Sequence, residues 1–118
     1  MAKKRIVIHQ NYLDRIPFRP LNIGWKADEE GIVTLEIENT GFMNRVAQKL
    51  FKKPKISYIH LDKIGSFTWQ IMDGKKTITD LGKEVEAHFG EESHPLYERL
   101  AQYFRILDSY GFVKWANM

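Results

Sequence analysis

The chain has 118 residues, a formal net charge of +3 and no cysteine. Its length supports one domain with a single modest core, and the absence of cysteine excludes disulfides, thiolate metal sites and thiol nucleophiles. No stretch approaches the roughly 18 apolar residues of a membrane span, and the apolar run at residues 6–8 is too short for a signal peptide. These features predict a cytoplasmic protein.

Residues 1–20 are predicted to form an N-terminal arm, and residues 21–118 the domain itself. Pro17 and Pro20 keep the arm extended. Apolar side chains such as Phe18 indicate that the arm packs on the domain.

A β-hairpin is predicted next, with strands at residues 22–26 and 32–38 around a turn at 27–31. In the second strand polar residues alternate with apolar Val33, Leu35 and Ile37. The alternation predicts one buried and one solvated face. Trp25 is predicted to be the large core residue of the first strand.

A helix-like basic segment at residues 42–51 follows, and Pro54 comes soon after it. Its cations and those next to it are Arg45, Lys49, Lys52, Lys53 and Lys55. The sequence has no acidic residue between Gly41 and Lys55. The run is either a solvated face or a surface for phosphates or an acidic peptide.

Residues 56–61 alternate as a short strand that leads directly into a helix. Asp62 is predicted to cap that helix, Asp73-Gly74 to end it, and Ile64, Phe67 and Ile71 to form its apolar stripe.

Two further helices are predicted. Thr77 and Asp80 have capping-box spacing, Ser93 or His94 caps the last helix, and Gly111 stops it. The three helical stripes predict mutual burial of one set of residues: Phe67, Ile71, Leu81, Val85, Leu100 and Leu107.

Catalytic chemistry has little support in the sequence. The four histidines include no i,i+4 pair, the serines lack a nucleophile-elbow pattern, and the glycines form no phosphate loop. The sequence therefore predicts a protein that is not an enzyme, with no catalytic residue, no metal and no cofactor.

The consecutive helices resemble a helix-turn-helix, which raises DNA binding through residues 96–110. Glu91, Glu92 and Glu98 lie where phosphates would approach, and Arg99 and Arg105 only partly offset them. A DNA-binding winged-helix regulator is the second hypothesis, and a protein-interaction domain without a modified peptide is the third.

Peptide binding is the first hypothesis. A three-stranded sheet leaves a strand edge to which an extended peptide can add, and Tyr58 and Tyr97 have the polar tips that suit a half-exposed cleft. The candidate peptide-binding residues are Ile56, Tyr58, Ile59, His60, Tyr97, Ala101 and Phe104. The candidates for steering an acidic peptide are Arg45, Lys49, Lys52 and Lys53.

The stretch LDKIGSFTWQIMDGKKTITDLGKEV, with the long helix that follows, resembles the PqqD-like proteins of pyrroloquinoline quinone biosynthesis. The matching pieces are Leu61-Asp62, the aromatic helix through Trp69, Asp73-Gly74 and the Thr77-x-x-Asp80 start. Since the family usually joins its second and third strands tightly, the basic segment resembles an insertion.

The resemblance implies a peptide-recognition element. Such proteins hold the leader of a ribosomally made precursor peptide between the third strand and the third helix, here residues 56–61 and 96–107. They present it to a modifying enzyme, often a radical S-adenosylmethionine (SAM) protein.

The predicted fold is therefore α+β and winged-helix-like. A three-stranded antiparallel sheet is followed by a three-helix bundle, with an extra basic helix between strands two and three. The predicted function is non-catalytic binding of a leader peptide and its presentation to a radical SAM enzyme. The protein is expected to be a monomer or homodimer, with no membrane partner and no nucleic acid.

Overall fold

The computed structural model describes residues 12–39 and 55–118. The described strands are β1 (Pro17–Phe18), β2 (Gly24–Ala27), β3 (Val33–Asn39), β4 (Lys55–His60) and β5 (Lys114–Trp115). The described α-helices are α1 (Lys63–Ile71), α2 (Ile78–Phe89) and α3 (Leu96–Ser109), with a short 3-10 turn at Gly90–Ser93. The expected basic helix and the cations Arg45, Lys49, Lys52 and Lys53 lie outside the described residues, and Lys55 begins β4.

The main sheet is antiparallel, and its described strands run in the order β2–β3–β4. Val33 and Leu35 of β3 are fully buried, which confirms the predicted alternation between a buried and a solvated face. The Trp25 prediction is wrong, because that side chain remains 36% exposed. Trp25 lies opposite Leu35 at the β2 side of the sheet, where Arg19 stacks over its ring.

The caps of the first two helices follow the predicted chemistry. The Asp62 carboxylate accepts the Gly65 N–H at 2.6 Å, and Thr77 and Asp80 form a capping box. The cap predicted for α3 is wrong. Pro95 occupies the N-cap position without a side-chain hydrogen bond, and the Ser93 hydroxyl donates instead to the Gly90 carbonyl at 2.7 Å.

The core lies where the three helices meet the inner face of the sheet. Its fully buried helical side chains are Trp69, Ile78, Leu81, Val85 and Phe104, and Leu100 and Leu107 are nearly so. The predicted burial of Phe67 and Ile71 is wrong, since both are only partly buried. Phe67 lies at the edge of the core, where it stacks on His88 with ring centroids 4.5 Å apart.

The buried face of α1 instead carries Gly65, Ser66, Thr68 and Trp69. Its hydroxyls are accommodated because each has a hydrogen-bond partner. Thr68 donates to the Ile64 carbonyl at 2.8 Å. The buried face of this helix therefore combines polar residues with Trp69, and the predicted stripe of apolar residues did not identify it.

Ser66 connects α1 to the sheet. Leu61 donates its N–H to the Val33 carbonyl at 2.9 Å, as in an antiparallel ladder. The second bond of this pair, from the Val33 N–H to the Leu61 carbonyl, is replaced by the Ser66 hydroxyl. That hydroxyl accepts the Val33 N–H at 2.8 Å and donates to the Leu61 carbonyl at 3.3 Å. The start of α1 is thereby tied to both β3 and the end of β4.

The arm is attached to the C-terminal end of α1. One Arg19 nitrogen donates to the Trp69 carbonyl at 2.9 Å and to the Gln70 carbonyl at 3.1 Å. These carbonyls have no partner within the helix, so the guanidinium acts as a cap.

The two ends of the described chain meet in a terminal clasp, formed by β1, β5, Tyr12, Arg15 and Asn117. Pro17 pairs with Trp115, and Phe18 with Lys114. Asn117 accepts the Ile16 N–H and donates to the Asp14 carbonyl. The clasp also holds the start of α2, because Ile78 donates its N–H to the Arg15 carbonyl at 3.0 Å.

The structure confirms a mixed α+β fold with a three-stranded antiparallel sheet and three helices. The winged-helix assignment and the division at residue 20 stay predictions. Across the described parts of the chain, every helix is too short or too polar to cross a bilayer.

Replacing Trp69 with alanine should destabilise the domain by about 3–5 kcal/mol, since it empties the centre of the core. Phe67→Ala is the matched control and should cost clearly less, because the phenylalanine ring is only partly buried. Urea denaturation of both variants measures the difference. Equal losses would contradict the assignment of the buried face of α1.

Candidate functional site

An apolar groove of about 400 Å³ lies between the inner face of the sheet and α3. Its lining consists of aliphatic and aromatic side chains: Leu35, Ile59, Leu61, Tyr103, Ile106, Leu107, Tyr110 and Phe112. Ile106 is 49% exposed and Tyr110 is 68% exposed, so the groove is open to solvent.

The floor of the groove comes from directly opposed residues of two strands. Leu35 of β3 pairs with Ile59 of β4, so both side chains lie on the same inner face. Leu61 follows on that face. Because strand side chains alternate, this single face supplies apolar contacts at every second position.

Tyr103 connects one end of the groove to α1. Its hydroxyl donates to the Gly65 carbonyl at 2.8 Å. A Cβ at Gly65 would lie 2.9 Å from the Tyr103 ring, so the close approach requires glycine at that position. Burial raises the pKa of Tyr103, and the nearby Asp62 carboxylate adds to the rise, so the hydroxyl keeps its proton as a donor.

Tyr110 and Phe112 form the aromatic end wall of the groove, with their rings stacked 5.5 Å apart. Between them Gly111 has a φ of 74°, which reverses the chain after α3. Phe112 donates its N–H to the Leu107 carbonyl at 2.8 Å, and Gly111 donates to that of Asp108 at 3.0 Å. This is the Schellman arrangement, which returns Phe112 to the groove.

The backbone of β4 offers hydrogen-bonding groups beside this groove. Leu61 is bonded to Val33, and bonded pairs alternate along an antiparallel ladder. The N–H and carbonyl groups of Ile56, Tyr58 and His60 therefore point away from β3. Among the described strands, β4 is the last in the sheet on that side.

Of the strand residues predicted to bind peptide, Ile59 lines the groove. The side chains of Ile56, Tyr58 and His60 lie on the opposite face of the sheet, and Tyr58 is 61% exposed there. The His60 ring is within 2.7 Å of the Thr34 hydroxyl. These three residues thus contribute backbone groups at the groove and side chains elsewhere.

The helix residues predicted as cleft walls lie elsewhere. Phe104 is fully buried and Ala101 is 3% exposed, and neither side chain lines the groove, so their role in peptide binding stays a prediction. Tyr97 is half-exposed but packs against α2, where a Cβ at Gly82 would be 2.7 Å from its ring. None of the three lines the groove, because the α3 face beside the sheet is rotated from the predicted stripe.

Sequence reasoning missed the face of α3 that lines the groove. Tyr103, Ile106, Leu107 and Tyr110 have the i, i+3, i+4, i+7 spacing of a helical stripe. The signal was present in the sequence but overlaps the core stripe at Leu107.

Among the described residues, those that line the groove include no charged side chain, so the chemistry of this lining is that of apolar recognition. The four cations predicted to steer a ligand lie outside the described residues. Among the described residues no cluster has the three acidic, histidine or cysteine side chains of a metal site. His94 is instead 2.6 Å from Glu86, and His88 stacks on Phe67.

Tyr103→Phe should destabilise the domain by about 1 kcal/mol, because the ring remains while the bond to the Gly65 carbonyl is lost. Tyr110→Phe removes the same hydroxyl from an exposed tyrosine and should leave stability unchanged. Urea titrations of the two variants make the comparison. A neutral Tyr103→Phe would show that this bond does not hold α3 against α1.

The comparison with known proteins gives one family. The model of Coenzyme PQQ synthesis protein D (PqqD) matches residues 32–113 of the 118-residue chain. No curated protein and no solved structure matches the chain. The matched range runs from the β2–β3 turn through Val113 and includes all the described residues that line the groove. The chain belongs to the PqqD family.

Proposed function

We propose that this protein binds the leader segment of a ribosomally made precursor peptide in the apolar groove and presents the peptide to a modifying enzyme. The observation that carries the proposal is the groove itself, which lies between β4 and α3 beside outward-pointing backbone groups of β4. The family's connection with coenzyme PQQ synthesis supports the same function.

Backbone pairing supplies affinity in this proposal. An extended peptide adds alongside β4 and exchanges hydrogen bonds with Ile56, Tyr58 and His60. The strand is 6 residues long and turns into α1 immediately after Asp62. The paired part of the ligand is therefore limited to about six residues.

The groove supplies selectivity. In an added strand, every second side chain faces the groove and the others face away. Ile59, Leu61 and Ile106 favour aliphatic or aromatic ligand side chains at positions i and i+2. A charged side chain at either position is disfavoured, because no described residue of the groove lining would compensate its desolvation.

The role is one of binding and presentation, without catalysis by this chain. The groove residues that the structure describes have no nucleophile or acid–base group other than tyrosine hydroxyls. The Tyr103 hydroxyl is already bonded to Gly65. The chemistry would therefore belong to the partner, which the family resemblance indicates is a radical SAM enzyme.

DNA binding receives no support from the family match, and the charges around the start of α3 disfavour it. The Lys63 ammonium lies 3.3 Å from the Glu92 carboxylate, and the Arg99 guanidinium donates to the Glu92 backbone carbonyl at 2.7 Å. Two cations that could meet phosphates are thus engaged with the protein itself.

Amide chemical-shift mapping tests the location of the site. A search of the reading frames beside this gene for a short precursor peptide supplies the ligand, and a scrambled peptide of the same composition is the control. Shifts should concentrate on β4 and on residues 103–112, with the scrambled peptide silent. Shifts concentrated on the β2–β3 hairpin would place the site elsewhere.

Groove chemistry is tested by Ile106→Asp, which should weaken peptide binding at least about tenfold by burying a carboxylate. Leu21→Asp is the matched control, because Leu21 is fully exposed and lies outside the groove. Calorimetry or fluorescence anisotropy measures both affinities. Equal affinities of the two variants would exclude the groove as the site.

Strand addition is tested by Tyr58→Pro, which removes an outward N–H while leaving the β3–β4 ladder intact. Binding should fall at least about tenfold, since the outward hydrogen bond is lost and the proline ring occupies the edge where the ligand strand would lie. Tyr58→Ala keeps the N–H and should bind nearly as well as the wild type. Similar binding by all three proteins would rule out backbone pairing at β4.

A further inference from the structure

We infer that Trp115 is a positioning residue for the groove, because it anchors the chain segment that carries the aromatic end wall. The inference rests on the proposed function for its effect on peptide affinity, while its structural part stands independently. Trp115 does not line the groove. It acts through Asp108 and the turn after α3.

A short path of hydrogen bonds leads from Trp115 to the wall. The indole N–H donates to the Asp108 carboxylate at 3.2 Å. The carbonyl of the same Asp108 accepts the N–H of Gly111 at 3.0 Å. Two hydrogen bonds to Asp108, one from Trp115 and one from Gly111, thus hold the segment 108–115 together around the turn that precedes Phe112.

The indole ring is itself held from several sides. Its centroid lies 6.0 Å from that of the buried Phe104 ring and 5.8 Å from that of Tyr12. The Arg15 guanidinium lies 5.3 Å from the indole centroid. Pairing with Pro17 fixes the backbone of Trp115. The anchor is therefore better ordered than a C-terminal side chain would be alone.

The wall depends on such an anchor because its own contacts are few. Tyr110 is largely exposed and Phe112 is only partly buried. With the anchor, the two aromatic rings are ordered before a ligand arrives. Without it, a ligand would have to order them on binding, which lowers affinity.

The Trp115 anchor and the terminal clasp that holds it lie outside the range that the family match covers. The family match covers residues 32–113, so Trp115 and the β1, Tyr12 and Arg15 parts of the terminal clasp lie outside it. The groove lies inside the match, yet its end wall is held by residues beyond the match on both sides.

Hydrogen exchange in the absence of ligand tests the structural part. Trp115→Ala should lower the protection of the Gly111 and Phe112 amides at least about tenfold, with most core amides of α2 unchanged. Trp25→Ala, at the other side of the sheet, should leave both amides unaffected. Unchanged protection in Trp115→Ala would overturn the inference.

Two variants of Asp108 test the hydrogen bond to Trp115 without removing the indole ring. They also keep the inference testable if the Trp115→Ala protein does not fold. Asp108→Ala removes the acceptor from an exposed position and should reproduce the loss of protection. Asp108→Asn keeps an acceptor oxygen and should restore it. Equal protection in Asp108→Ala and the wild type would mean that the path through Asp108 is wrong.

A double-mutant cycle with the fluorescein-labelled precursor peptide tests the route to the ligand. Trp115→Ala should weaken binding about two- to tenfold in the wild type but less than about twofold in a Phe112→Ala background. Additive losses would show that Trp115 does not act through Phe112. A wild type that binds no peptide would contradict the proposed function, and hydrogen exchange would still decide the positioning role.

Discussion

The Ser66 hydroxyl is the interaction on which the arrangement of the domain depends. It takes the place of a ladder bond between Val33 and Leu61, and it does so from within a helix. A buried N–H and a partly buried carbonyl left without partners would each cost free energy, so the start of α1 has one favourable position against the sheet. Trp69 on the same helix, and Met72 directly after it, then enter the core.

The position of α1 against the sheet determines where α3 can lie, and the groove results from that position of α3. The Tyr103 hydroxyl reaches the Gly65 carbonyl, so α3 crosses beside the end of β4. Its core stripe ends at Leu107, and the neighbouring stripe faces Ile59 and Leu61 across open space. The groove thus arises because two apolar faces are held near each other by hydrogen bonds and do not pack together completely.

Local features of this fold could be predicted from the sequence, while features set by the rotation of elements could not. Asp62 and the Thr77–Asp80 box mark helix starts through chemistry confined to one turn. Phe104 and Tyr103 are adjacent apolar residues, and periodicity alone does not decide which faces the core. The pairing of Pro17 with Trp115 joins distant two-residue strands that have no local signal.

The direct passage from β4 into α1 has a kinetic consequence. Only Leu61 and Asp62 lie between β4 and α1, and the Tyr103 hydroxyl of α3 is hydrogen-bonded to the Gly65 carbonyl of α1. The two walls of the groove, β4 and α3, are therefore both fixed to α1 without a flexible linker. A site that does not rearrange accepts different ligands at similar association rates. Under the proposed function, discrimination between peptides would therefore depend on how long each one stays bound, and a partner enzyme would receive mainly the peptides that dissociate slowly.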